Sequence, residues 1–278
     1  MSVESHKTIK KDKIQQCLTD ILGRHKVKNQ KLFSSFFKLF FRNAPYGDIQ
    51  DWTSDHMFEV AHSVYEFSQK KETPYKLRVI NRAWPHEAGN AGCTVIEVMA
   101  VNVPFLIDSI TEELNSRGLA IEFIVHPMME VTRKKNVLEQ VSEFNLDSQR
   151  EQSEAFIHIQ LVRQVAASTV SDLEQTLDRI LSDVLAATSD WRLMLAEMER
   201  IHGELLAAKL RIDYDDSFTE DEYIEAISLL DYLKDNHFTL LGAREYLFDK
   251  SGKTILKAQS GLGVLRDDAV VIFDGFRD

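Results

Sequence analysis

Cysteine is nearly missing from this chain of 278 residues, which has only Cys17 and Cys93. Two thiols are too few for a disulfide framework, and neither has a neighbouring Cys or His at zinc-ligand spacing, so both read as unpaired thiols in a reducing cytoplasm. Positive charge is short as well: 33 Lys and Arg stand against 44 Asp and Glu, a formal net charge of -11. Binding a nucleic-acid backbone needs clustered Lys and Arg, so this balance argues against that partner. No window approaches the ~18 uninterrupted apolar residues that cross a bilayer, and Met1 to Lys13 is polar and charged rather than a signal sequence. The expectation is a soluble, cytoplasmic chain with no membrane partner. Internal repeats and low-complexity tracts are missing too, and the length suits one large domain or two small ones.

Motifs for chemistry are equally sparse. A dinucleotide fold is announced by G-x-G-x-x-G between a strand and a helix, with an acidic residue about twenty positions later. Nothing matches. Ser260-Gly261-Leu262-Gly263 supplies two glycines, but Val264-Leu265-Arg266-Asp267 follows rather than a helix start, so the run reads as a turn between strands. His126 and His158 fall on neighbouring expected strands without Asp, Glu or Cys at ligand spacing, and His56 and His62 do not have the i, i+4 spacing of a helical metal pair. There is no Ser nucleophile elbow and no Cys beside a base. No catalytic residue, no metal site and no cofactor site is expected in this chain.

What is present is an α+β pattern. Ile9 to Leu22 and Gln30 to Phe41 have helical spacing. The second is dense in Phe33, Phe36, Phe37, Phe40 and Phe41, a stripe suited to core or interface packing, with a membrane-surface role as the alternative. Ala44-Pro45-Tyr46-Gly47 breaks the helix, and Thr53 or Ser54 caps a third that ends before Thr73-Pro74. Lys76 to Trp84 reads as a strand, and Pro85 to Gly92 as a polar loop. Thr94 to Val101 alternates with Ile96, Val98 and Ala100 on one face, the pattern of a strand buried on one side. Asn102 then stands where a helix cap belongs and Pro104 at the first helical position, with Leu106, Ile110 and Leu114 following to Gly118. Strands at Ala120 and Ala155 and a helix through Leu173, Leu177, Ile180 and Val184 complete a βαββα order, most of a split βαβ sandwich. Its missing edge strand is assigned to Leu77.

The charged stretch Val131 to Ser153 lacks period and reads as a long, mobile hairpin loop between the second and third strands of the sandwich. Asp190-Trp191 punctuates the next helices into a hairpin, Asp213 to Ser217 is an acidic linker, and Thr219 with Glu222 makes a capping box. Phe238 to Phe248 and Thr254 to Ala258 read as strands joined by Asp249-Lys250-Ser251-Gly252. The expected organisation is a helical segment over 1–75, a ferredoxin-like sandwich over 76–190, a helical hairpin arm and linker over 191–216, and the start of a second α+β domain over 217–278. The apolar AVVIF and the stop at Asp278 suit the edge of a longer polypeptide.

The segment TVIEVMAVNVPFLIDSITEELNSRGLAIEFIVHPMMEV, with EAFIHIQLVR, DNHFTLLGAREY and SGLGVLR after it, resembles the N-terminal region of the large bacterial NAD-specific glutamate dehydrogenases. The resemblance runs from about Phe33 to Asp268. It implies an ACT-like regulatory module far upstream of a dehydrogenase domain, which would use NAD to oxidise L-glutamate. It also implies homo-oligomers, contact with the catalytic domain of the same polypeptide, and a possible amino-acid effector. In ACT-like modules an amino acid binds where the first strand turns into the first helix, here Asn102, Val103, Pro104 and Phe105, with Asp108 and Ser109 in the first turn. Free backbone N–H groups and the helix dipole attract a carboxylate there. Asp108 would receive the α-amino group. The usual pattern has Gly in this turn and this chain has Val103-Pro104, so a plain helix cap in a module used for packing stands beside the ligand reading. A free-standing amino-acid sensor and a purely structural dimerisation module are the rival functions.

Overall fold

Four helices precede the first strand: α1 (Val3–Arg24), α2 (Gln30–Arg42), the short α3 (Tyr46–Ile49) and α4 (Ser54–Ser68). The computed structural model describes residues 3–83, 92–145, 153–209, 219–249 and 254–269. Asn29 caps α2 by accepting the Leu32 N–H at 3.3 Å, and Thr53 caps α4 by accepting the His56 N–H at 3.1 Å, so each side chain satisfies one orphan donor. The Phe stripe of α2 is fully buried, which makes it core rather than a membrane face.

The chain continues with β1 (Tyr75–Arg82), β2 (Cys93–Val101), α5 (Leu106–Ser116), β3 (Ile121–Val125), β4 (Met128–Lys134), β5 (Val137–Glu143), β6 (Ser153–Leu161) and the long α6 (Ala167–Lys209). The strands form one sheet in the order β1-β2-β6-β4-β5, with β3 also beside β6. All its pairings are antiparallel. β3 runs along the Leu161 end of β6 and β4 along its Ser153 end, so the two share one edge. With β1 against β2, the expected edge strand at Leu77 is in place and the split βαβ order is complete.

Three expectations need correction. β2 and β6 are buried on both faces, not one, because their two alternating sets meet different layers. Cys93, Val95 and Met99 of β2 and Phe156 of β6 share a core with α1, α2 and α4. Ile96, Val98, Ile157 and Ile159 point the other way, to the side where Ile110 and Leu114 of α5 and Leu173 and Leu177 of α6 are buried. The stretch read as a loop from Val131 is the hairpin of β4 and β5, turned by Lys135 and Asn136, both at positive φ. Its register shifts between Thr132 and Arg133, which interrupts the period that sequence reading relies on, yet Leu138 and Val141 are buried. Finally, no break occurs at Asp190-Trp191. α6 passes through both residues as one helix, since neither lacks an amide hydrogen or favours positive φ.

The chain divides into two compact units, Met1–Leu181 and Ser182–Asp278. In the first, cations from the sheet meet carbonyls near and just past the C-terminal end of α4 (Ser54–Ser68). Lys76 donates to the Phe67 and Lys70 carbonyls, Arg78 to the Ser63 carbonyl at 3.1 Å, and Arg133 to the Ser68 carbonyl at 3.0 Å. Positive charge at that end complements the helix dipole and the unpaired C=O groups.

The second unit holds α7 (Glu220–Tyr232), opened by the expected capping box, then a π-helical turn over Leu233–His237. β7 (Gly242–Ala243), β8 (Tyr246–Phe248), β9 (Thr254–Leu256) and β10 (Leu262–Gly263) follow. The hairpin expected here is the antiparallel pair β8 and β9. Phe238 to Phe248 is not one strand, because β7 leaves for a separate pairing with β10. The linker Asp213 to Ser217, and most of the loop Pro85 to Gly92, of the turn after Asp249 and of AVVIF, lie outside the described residues.

Candidate functional site

The turn between β2 and α5 brings all six expected site residues into one short segment. Asn102 leaves the sheet by donating its backbone N–H to the Ser153 carbonyl at 3.0 Å. Its side chain does not cap the helix. The N-cap position belongs to Phe105, with no side-chain cap hydrogen bond, and α5 starts at Leu106 rather than at Pro104. Proline disfavours helical backbone at Val103 before it, so the chain stays extended longer than the cap pattern suggests. The reversal is made by Phe105, at φ 70° and ψ -3°. A non-glycine residue there costs about 1–2 kcal/mol, so the fold places an aromatic residue where glycine would be unstrained.

The turn is held on both sides. Leu106, Ile110 and Leu114 are buried beneath α5, and Ser109 donates its N–H to the Phe105 carbonyl at 3.0 Å. Gly118 ends the helix at φ 66°, with the Gly118 N–H donated to Asn115 and the Leu119 N–H to Leu114, the paired bonds of a Schellman cap. Above this anchor, Pro104, Phe105 and Asp108 are exposed while Asn102, Val103 and Ser109 are half-buried. The arrangement presents first-turn N–H groups uncapped by a side chain, one carboxylate beside them, and an aromatic residue that is 45% exposed. Chemically, that combination offers donors to a carboxylate, an acceptor to an ammonium group, and an apolar surface.

A second polar constellation was not expected from the sequence. Glu97 is fully buried on β2, directly opposite His158 of β6, on the face that meets the helices. Its carboxylate accepts from Ser63 of α4 at 2.7 Å and from Arg78 Nε of β1 at 2.6 Å, with His158 Nδ1 at 3.2 Å. His158 Nε2 lies 3.0 Å from Gln160 Nε2. Burial alone would push the Glu97 carboxyl up, but its bonds with His158, the charge of Arg78 and the Ser63 hydroxyl together bring it down to about 2. Nearby, the buried Glu154 accepts from Arg133 at 2.9 and 2.7 Å and from Lys71 at 2.8 Å. Burial opposes its ionisation and the two cations outweigh it, so this carboxyl too is lowered. Both acids are saturated by protein partners, which makes the clusters staples between elements. The available signal was a lone charge within each apolar strand, EAFIHIQL and TVIEVMAV.

The other candidates resolve similarly. His158 is buried in this network, while His126 is exposed just past β3. Among the described residues no group of three His, Cys, Asp or Glu is placed to hold a metal ion. Ser260-Gly261-Leu262-Gly263 does not fit a dinucleotide pyrophosphate. The Gly263 N–H already donates to the Asp190 carboxylate at 2.8 Å, which Arg266 also engages. A Cβ on Gly263 would lie 2.1 Å from the Leu241 carbonyl oxygen and one on Gly261 2.0 Å from that of Leu265. Both glycines serve close backbone packing, and Leu262-Gly263 is a strand piece rather than the expected turn. No described helix is long and apolar enough to cross a membrane.

Comparison with known proteins adds the family context. The family model "Glutamate dehydrogenase, ACT1 domain" matches residues 36–177, which contain the whole sheet, the turn and α5. An NAD-specific glutamate dehydrogenase of Halomonas elongata is 31% identical over 241 residues, covering 84% of this chain and 14% of that protein. The enzyme of the same description from Pseudomonas aeruginosa is 28% identical over 195 residues, and that from Mycobacterium tuberculosis 24% over 208. These cover 69% and 70% of this chain and 12% of each relative. The chain thus spans about 14% of the length of the Halomonas relative.

Proposed function

The chain belongs to the glutamate dehydrogenase ACT1 domain family, and from that premise we propose that it is the non-catalytic regulatory and assembly region of a large NAD-specific glutamate dehydrogenase. The observation that carries this is the match of 84% of the chain to a protein of which it covers only 14%. The parent protein, in the cytoplasm, oxidises L-glutamate with NAD and water to 2-oxoglutarate, ammonia and NADH. NAD belongs to a separate catalytic domain of the same polypeptide, and the region works within a homo-oligomer.

The same reading assigns the turn Asn102 to Ser109 as the place where an amino-acid effector binds. What supports it is chemical: uncapped N–H groups at the start of α5 for the carboxylate, Asp108 for the ammonium group, and Phe105 beside them for a side chain. A regulatory site needs a coupling to a second site, so the effector signal is read out in the catalytic domain. The 278-residue chain alone is expected to give no glutamate-dependent NADH formation, followed by absorbance at high protein concentration. Measurable turnover that survives repurification would overturn the assignment.

A further inference from the structure

The unit Ser182–Asp278 is almost without a core. Its buried apolar residues, among the described ones, are Ala187 and Met194, both on α6, and α7 buries no side chain. The first unit, by contrast, buries five phenylalanines on α2 alone. Large apolar side chains are present in the second unit, but they meet solvent.

The β8 and β9 hairpin shows this most clearly. It is a sheet of two strands, three residues each, and neither has a further strand beside it among the described residues. Leu247 is paired with Ile255, so these two share one face, where they are 54% and 49% exposed. Tyr246 and Phe248 share the other face, at 38% and 71%. Phe238 and Leu241, just before them in the chain, are more than half exposed as well. A two-stranded hairpin is marginally stable in water and needs a third strand or a packed layer. Edges that face solvent are blunted by Lys, Pro or a bulge. Tyr246-Leu247-Phe248 and Thr254-Ile255-Leu256 hold no charge and no proline, and their pairing runs without a register shift.

Resting on the reading of this chain as part of a longer enzyme, we infer that the hairpin of β8 and β9 is the docking edge for a β-strand of the polypeptide that follows Asp278 in the parent protein. That strand adds to a free edge of the hairpin, and the elements connected to it cover the apolar faces. Polypeptide for this is ample, since the chain covers only 14% of the Halomonas relative. A second copy of the chain fits less well. Joining two hairpins edge to edge pairs their backbones but leaves every apolar face in water, so the missing core is still missing.

Hydrogen–deuterium exchange read by mass spectrometry tests this on two proteins, the 278-residue chain and the product of the whole reading frame. Backbone amides of Tyr246–Phe248 and Thr254–Leu256 are expected to exchange at nearly the unprotected rate in the first. In the second they should exchange at least about a hundredfold more slowly. Amides of β2 and β6 should be protected alike in both, which controls for folding. Leu247→Lys/Ile255→Lys should leave the melting temperature of the 278-residue chain unchanged, because both side chains are exposed there, and restore fast exchange of the hairpin in the longer protein. Three results would each overturn the inference and leave the proposed function standing: fast exchange in the longer protein, slow exchange in the shorter chain at any concentration, or protection that survives Leu247→Lys/Ile255→Lys. A reading frame that stops at Asp278 would overturn both.

Discussion

Glu97→Ala is expected to destabilise the first unit by about 3–5 kcal/mol, because it leaves Arg78, His158 and Ser63 facing a buried site without their acceptor. For a unit of this size that is a fall in melting temperature of about 10 °C. Glu97→Gln keeps the shape and one acceptor oxygen, so its cost should be smaller. Acid should act on the wild type in the same direction. The folded carboxyl sits at about 2, against 4.5 for an ordinary glutamate. A group whose pKa is depressed by folding contributes stability above its unfolded pKa and loses it as pH falls through the folded one. The contribution, about 3 kcal/mol at neutral pH, should therefore drain away between about pH 4.5 and pH 2. Glu154, lowered in the same way by Arg133 and Lys71, adds to the acid side. Urea melts of wild type and Glu97→Gln across that range check this: the two stabilities should converge as pH falls. A constant gap down to pH 2 would remove Glu97 as the cause.

Phe36→Ala should cost a similar amount, about 3–5 kcal/mol, by a different mechanism. The ring is fully buried and touches Phe40, Tyr65 and Phe156, at centroid distances of 5.6, 5.5 and 5.4 Å. Phe156 belongs to β6, so Phe36 joins the helical layer to the middle of the sheet. Truncation removes the transfer free energy of the ring and leaves a cavity that neighbouring rings cannot refill without leaving their rotamers. Phe36→Leu fills most of the space and should cost under about 2 kcal/mol. Chemical denaturation of both variants separates the readings: if Phe36→Ala costs no more than Phe36→Leu, the stripe is not the structural core of α2.

The sequence shows those features whose period is uninterrupted. The stripe of α2, the strand before Asn102, the helix through Leu106, Ile110 and Leu114, and the box of Thr219 with Glu222 each state a single preference. The hairpin of β4 and β5 was hidden because its register shift falls at Thr132 and Arg133, and only Met129, Leu138 and Val141 of its strands are buried. The unbroken α6 was hidden because Asp190 resembles helix punctuation, while its carboxylate is committed to Gly263 and Arg266. At the turn, the participating residues were legible and the geometry was not. Nothing in the identity of Phe105 announces a left-handed backbone, so the sequence pattern points to a helix start at Pro104, two residues before the actual start at Leu106. Glu97 and His158 were visible only as polar letters in apolar strands. Pairing them required knowing that β2 and β6 are neighbours in register.

The proposed regulation by an amino acid at the turn should be visible in thermal unfolding of the 278-residue chain. The panel is the proteinogenic amino acids, 2-oxoglutarate and NAD, each against wild type and Asp108→Ala. A ligand at a hundred times its dissociation constant stabilises the native state by about 2.7 kcal/mol, enough to raise the midpoint by several degrees. The account predicts such a rise with an amino acid, none with NAD, and loss of the rise in Asp108→Ala. No rise with any amino acid, or one that survives Asp108→Ala, would contradict it and leave the turn as a helix start in an assembly scaffold.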